Sequence, residues 1–246
     1  MKWLLASALA ALFVYLLYDT VMGRQGGSVV SRGRLCDYTL AGSVYEDIPS
    51  ALARGVRLLE VHLYSDERDQ PVVATHPQQN GHDFASDNVS FEQVCVDLVN
   101  DAFPSKDPFV LSIVPHTAKS VTLNKAAEHL QLLRRHLIAA RDIQQTQLDS
   151  LANKLVIVSG GVNGTDLEPL VNLSWDDHGV RRLTAHQALH SRDPAELRRF
   201  NTDFITIVAP EPELKHSAVD PDALAATGCQ WNLVAPGPPG FVKKSS

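Results

Sequence analysis

Basic charge is in short supply in this chain. Its 246 residues carry 22 Lys and Arg against 28 Asp and Glu, a formal net charge of −6 at pH 7. Phosphate backbones are held by basic surface, so nucleic acid is excluded as a partner. Docking to an anionic membrane by charge alone is disfavoured for the same reason. Cysteine is scarcer still. Cys36, Cys95 and Cys229 are too few and too scattered for a disulfide scaffold or a zinc pattern. One bridge could form in an oxidising compartment; three small apolar core residues is the simpler reading. Internal repeats and low-complexity tracts are absent. Ser159 has no Gly-x-Ser-x-Gly context, which argues against a serine hydrolase. The Gly-rich stretch 158–164 lacks the Lys-Ser/Thr of a phosphate loop and reads as a flexible loop. Asp176-Asp177-His178 reads as a solvated turn.

A long apolar run occurs once, at 3–18, behind Lys2 and interrupted by Asp19. It is shorter than the about 20 residues of a membrane span and suits a signal-peptide core, with cleavage after Gly23. Left uncleaved, it would be flanked by Arg24, Arg32 and Arg34, which favour a cytosolic flank. The sequons at Asn88, Asn163 and Asn172 point instead to the secretory pathway. The expectation is a secreted or single-pass membrane-anchored protein. Residues 1–23 form a signal peptide or anchor, 24–34 a Gly- and Ser-rich linker, 35–238 one domain, and 239–246 a disordered tail. A composition of 44% hydrophobic residues suits a sizeable core in that one domain.

Within the domain, short apolar runs alternate with helical patterns. The runs predict strands at 58–64, 72–75, 110–114, 154–158, 204–208 and 231–234. Helices are predicted at 45–54, 91–102, 123–140, 194–200 and 223–227. The longest repeats Ala126, Leu130, Leu133, Leu137 and Ala140 along one stripe, with His129 and His136 beside it at the surface. Such alternation implies a parallel sheet, and the length fits a closed (β/α) barrel. In a barrel, functional side chains gather at the carboxyl ends of the strands. Glu60, His62, His76 and His116 all lie at or just past such ends. Glu is rarely buried without a partner, so Glu60 inside an apolar run marks a candidate site. The competing reading is an edge strand with Glu60 and His62 facing water, since period two puts both on one face.

Four segments resemble the X region of phosphatidylinositol-specific phospholipase C. Ala51-Leu52-Ala53-Arg54-Gly55-Val56-Arg57 resembles the family's helix before the acidic strand, and Leu59-Glu60-Val61-His62 the strand itself. A short acidic turn at 65–70 then leads to Val73-Ala74-Thr75-His76. Pro108-Phe109-Val110-Leu111-Ser112-Ile113 is similar to a further family strand, and Gly228-Cys229-Gln230-Trp231-Asn232-Leu233-Val234, after Asp220-Pro221, to the family's closing segment. The resemblance runs from about Cys36 to Pro238. It implies an irregular TIM-type barrel and phosphodiester chemistry, in which one His acts as base and another as acid. It also implies a phospholipid or glycerophosphodiester headgroup as partner, and calcium on oxygen ligands in the eukaryotic enzymes.

The departures from that pattern are many. The family's first His has no counterpart: the motif falls on Leu35-Cys36-Asp37-Tyr38 or on 40–45, which places Val44 at the His. His62 and Val114 replace two calcium ligands, Cys36 or Tyr45 replaces a third, and only Glu60 survives. A cation wanting six or more oxygens is not expected on that set. The headgroup-binding Arg and Tyr segment reads Ile207-Val208-Ala209-Pro210. What remains is His76 as acid, Glu60 to orient an imidazole, His116 as a base from the next strand, and His62 in place of the bacterial Arg if protonated. Glu60, His62 and His76 together would suit zinc or manganese. Two readings follow. One is a phosphodiesterase-fold protein with a degenerate site that binds a lipid headgroup. The other is an active hydrolase, glycerophosphodiesterase-like or metal-dependent, using Glu60, His62 and His76. Glycerophosphodiester phosphodiesterases share the barrel, but their motifs do not account for Gly228-Cys229-Gln230.

Overall fold

Period-two alternation of apolar side chains sets the architecture. In the computed structural model, which describes residues 33–44, 48–74, 88–210, 219–235, 237 and 240–244, these runs become strands around one axis. The first half holds β1 (Tyr38–Ala41), β2 (Ser43–Val44), α1 (Ile48–Ala53), β3 (Leu58–Ser65), β4 (Pro71–Val73), β5 (Val89–Ser90), α2 (Phe91–Asp101), β6 (Phe109–Pro115) and α3 (Ser120–Leu130). The second holds β7 (Leu155–Ser159), β8 (Leu173–Ser174), β9 (Val180–Thr184), α4 (Ala185–Leu189), α5 (Pro194–Asp203), β10 (Ile205–Ala209), α6 (Pro221–Ala225), β11 (Trp231–Asn232) and β12 (Val242–Lys243).

One parallel ladder runs through β8, β7, β6, β3 and β2, and a second through β1, β11, β10 and β9. β1 and β2 join the two, because the chain only bends at Gly42. A Cβ there would stand 2.7 Å from the Leu58 carbonyl oxygen, so glycine is what allows the approach. The result is an irregular TIM-type barrel with its strands in chain order. It has one seam: among the described residues no ladder joins β8 to β9. The expected cylinder forms and is interrupted there.

Alternation then sorts the side chains. Leu58, Val110, Val156, Val180, Ile205, Ile207 and Trp231 fill the inside. Leu59, Val61, Leu63, Leu111 and Ile113 face outward onto Val94 and Leu98 of α2 and Leu123, Ala126 and Leu130 of α3. α2 starts where the Ser90 hydroxyl accepts from the Gln93 N–H at 3.1 Å, a standard N-cap. Cys36, Cys95 and Cys229 are free and buried, as small core residues are.

Three expectations need correction. The helix foreseen over 123–140 ends at Leu130, followed by a 3-10 turn over Gln131–Leu133. Beyond it the carbonyls of His136, Ile138 and Ala140 are taken by the Leu155 N–H and the Asn172 side chain, not by helical donors. The tail is not loose over its described part, because β12 pairs antiparallel with β1 and the Lys244 amine donates to the Asn201 carbonyl. Arg34 is no linker residue: it forms ion pairs with Asp37 and Asp203, each at 2.9 Å. Strands β1 and β9 were not foreseen at all.

The third sequon is consumed by the fold. Asn172 is 2% exposed, its Oδ1 accepts from the Ile157 N–H, and its Nδ2 donates to the Ile138 and Ala140 carbonyls. Asn172→Ala therefore strands a buried donor and two carbonyls, and a loss of about 2–3 kcal/mol is expected by urea unfolding. A loss under about 0.5 kcal/mol would show that this bridge is dispensable.

Candidate functional site

Glu60 is the second inward residue of β3, two positions beyond Leu58, and is 1% exposed. β3 lies between β2 and β6, so the edge-strand reading is wrong and Glu60 points into the barrel. Its register neighbours are Val44 on β2 and Ser112 on β6. A bare carboxylate at that depth would be strongly disfavoured. Four donors satisfy it. Arg182 Nη2 donates to Oε1 at 2.7 Å and Arg182 Nε to Oε2 at 3.2 Å. Ser112 Oγ donates to Oε2 at 3.1 Å, and His62 Nε2 lies 3.2 Å from Oε1. Burial by itself would raise the Glu60 carboxyl, but the bonds from His62 and Arg182 outweigh it and hold the group below the usual carboxylate range.

From Glu60 a chain of rings leads outward. His62 follows two positions on, and His116, just past the end of β6, places its Nε2 2.8 Å from His62 Nδ1. With Glu60 ionised, His62 Nε2 must donate to it. In the neutral tautomer His62 Nδ1 then accepts from His116 Nε2–H, and His116 Nδ1 keeps the outward lone pair. Tyr64, the next inward residue of β3, stacks on His116 with centroids 4.5 Å apart. The His62 ring lies nearly parallel to that of His116, with centroids 4.9 Å apart, as the hydrogen bond between their nitrogens requires. Burial, with His62 and Arg182 behind it, pushes the His116 imidazole down from 6.5 to about 4. Burial also raises the Tyr64 phenol, which stays neutral.

Glu60, His62 and His116 thus converge as foreseen. His76 lies outside the described residues. The described chain before it ends at Ala74, whose N–H donates to the His62 carbonyl at 3.4 Å. β4 runs antiparallel to β3, so this chain returns from the mouth and is not a barrel strand. Arg182, Ser112 and Tyr64 were missed. Ser112 and Tyr64 follow from the alternation within β6 and β3. Arg182 sits in Val180-Arg181-Arg182-Leu183-Thr184, too polar to read as a strand. Yet Val180 and Arg182 share a face, and the facing Glu60 required a cation.

The resemblance implies a calcium ion on oxygen ligands. About four lone-pair positions are available on a carboxylate, and Arg182, Ser112 and His62 occupy as many on Glu60. Val44 and Val114 bring no oxygen to its side. These residues do not fit a calcium ion. Among the described residues no three His, Cys, Asp or Glu side chains are grouped to hold a metal.

A family model described as phosphatidylinositol-specific phospholipase C, X domain, matches residues 36–159, just over half of the chain. No curated protein sequence matches significantly. Among solved structures, S. officinalis PLC21 superposes with a TM-score of 0.69 at 16% identity, over 85% of this chain and 34% of that one. The chain therefore spans about a third of the length of that relative. A calcium-dependent phosphoinositol-specific phospholipase C from Pseudomonas sp. gives a TM-score of 0.55 at 12% identity, covering 82% of this chain and 90% of its own. The phosphatidylinositol-specific phospholipase C of Listeria monocytogenes gives 0.54 at 7%, covering 83% and 90%. At such identities the likeness is one of fold.

Two outcomes test the site's electrostatics. Arg182→Leu leaves Glu60 buried and unpaired and should cost about 3–5 kcal/mol in urea unfolding, whereas Glu60→Leu with Arg182→Leu should recover most of it. A double variant as unstable as the single would refute the pairing. The second outcome concerns pH. Folded Glu60 is the stronger acid, so its stabilisation is complete above the ordinary value of 4.5 and is lost as pH falls through the folded value. Folded His116 is the weaker base, so its contribution erodes stability as pH falls from 6.5 toward about 4. His116→Asn should flatten the slope in that upper window alone, read from denaturation midpoints at about pH 7 and about pH 5.

Proposed function

Because this chain belongs to the phosphatidylinositol-specific phospholipase C X-domain family, we propose that its barrel mouth binds a phosphodiester lipid headgroup without turning it over. The observation that carries this reading is the bidentate Arg182–Glu60 pair. Phosphoryl transfer needs positive charge directed at the equatorial oxygens, and here the guanidinium beside the site is already committed to the carboxylate. The base is missing as well, since Val44 stands next to Glu60 in register. Losing one member of an acid–base pair costs typically about 10²–10⁴-fold, and losing charge stabilisation at phosphorus costs about as much again. His116 does not restore the acid, because an imidazole pushed down to about 4 is unprotonated near neutrality. His62, His116 and Tyr64 still offer polar edges and a stacking face at the mouth, which suits a sugar or polyol phosphate.

One observation favours a second reading, a metal-independent phosphodiesterase. The Glu60–His62–His116 relay ends in a free lone pair on His116 Nδ1, which is the geometry of a general base. The low basicity of that nitrogen makes it a weak one.

The test is purified protein on phosphatidylinositol and on glycerophosphodiesters, with calcium, with zinc, with manganese and with chelator. Expected is no product above the blank in any condition, together with calorimetric binding of glycerophosphoinositol that His116→Ala weakens about tenfold, or about 1.4 kcal/mol. Turnover that His76→Ala or His116→Ala abolishes would instead establish the enzyme.

A further inference from the structure

The seam between β8 and β9 is more than a missing ladder. A cleft of about 500 Å³ opens beside it, against the β8–β9 connection, β9 and the end of α5, a volume typical of small-molecule sites. Its apolar wall is Trp175, Val180, Leu183, Phe200 and Phe204. Phe200 and Phe204 stack with centroids 4.9 Å apart. Trp175 closes the far side against Gly160, where any Cβ would collide with the indole. The remaining wall is charged: Asp177, His178, Arg181 and Arg182.

Most of that charge is already answered. Arg181 holds Glu196 through both terminal nitrogens, at 2.9 and 2.8 Å, and lies 3.7 Å over the Phe200 ring. Asp177 lies 3.9 Å from Arg141. Arg182 is different. Its Nε and Nη2 reach through the wall to Glu60, while Nη1 has no partner among the described residues. What is left for a ligand is therefore the Nη1 donor of a guanidinium, next to an aromatic trough. Arg182 links this cleft to Glu60, but the other lining residues are distinct from Glu60, His62, Tyr64, Ser112 and His116 of the mouth.

We propose that the seam cleft binds an anionic single-chain amphiphile, its acidic head on Arg182 Nη1 and His178 and its alkyl chain along Phe204, Phe200 and Trp175. The shared chemistry is one acidic group on one chain, whether a fatty carboxylate or an alkyl phosphate. Each methylene drawn from water contributes about a fourfold gain in affinity, so chain length is a direct reporter. The guanidinium can accept the head without releasing Glu60, because the fork presents five N–H donors and only some face the carboxylate.

Octyl phosphate, decyl phosphate, decanoate and decylamine would be titrated calorimetrically into the full chain below their micelle concentrations. Affinity should rise about fourfold per methylene between the two phosphates, and decanoate should bind while decylamine binds at least about tenfold more weakly. Phe204→Ala should weaken decyl phosphate about tenfold or more, and Leu183→Trp, which fills the cleft, should do the same with the thermal midpoint retained. Should one variant fail to fold, the chain-length series and the other variant still decide. Affinity independent of chain length, equal binding of decylamine, or binding unchanged by both variants would overturn the proposal. Competition between decyl phosphate and glycerophosphoinositol would overturn it too, since the amphiphile would then occupy the mouth. Phosphate binding without decanoate binding would identify the head as a phosphoryl group.

Discussion

A carboxylate locked inside a barrel must be answered by something positive, and here the answer is a guanidinium carried by the chain. Glu60 has no side-chain exposure, so its charge cannot be relieved by water. Arg182 crosses the barrel from β9 to meet it with two bonds, and Ser112 and His62 take what acceptor capacity remains. Removing Arg182 would leave the carboxylate without a solvent, whereas the matched pair is tolerated. The rest of the interior follows from that arrangement. Apolar layers below it, built on Leu58, Val110 and Ile205, need no polar partner. The layers above it are imidazole and phenol rings, each positioned by the one beneath.

The consequence for chemistry is a site balanced within itself. Barrels of this kind offer a rim on which strand ends can place almost any side chain. Here the rim keeps the acid and two imidazoles, with the Arg182 guanidinium already on the acid. Family membership and fold are therefore compatible with a function in binding. The relay from Glu60 through His62 ends on His116, whose imidazole burial pushes down to about 4.

Much of this was legible in the sequence. The apolar run around Glu60, with His62 on the same face and His116 past the next strand, reported a shared rim, because period two and strand direction leave few alternatives. The inward alternation also held in β6, β7 and β10. Arg182 was not legible by the same logic. Strand β9 buries only Val180 fully, and its alternate faces carry arginines whose partners, Glu60 and Glu196, lie 122 and 15 residues away in sequence. No local pattern encodes a pairing over such a separation. β1 escaped notice because its four residues are split from β2 by Gly42. The overlong helix prediction failed where Asn172, distant in sequence, captures the carbonyls of Ile138 and Ala140. These are tertiary decisions that outweigh local periodicity.

The antiparallel pairing of Val242–Lys243 with Tyr38–Thr39 fixes how the molecule is handled from outside. It brings the entering and departing chain together beneath the amino-terminal ends of the strands, the floor of the cylinder, while the rings of His62, Tyr64 and His116 sit at its opposite pole. A tether attached at either end would grip the barrel by its base. The rim is thus the pole farthest from any such attachment.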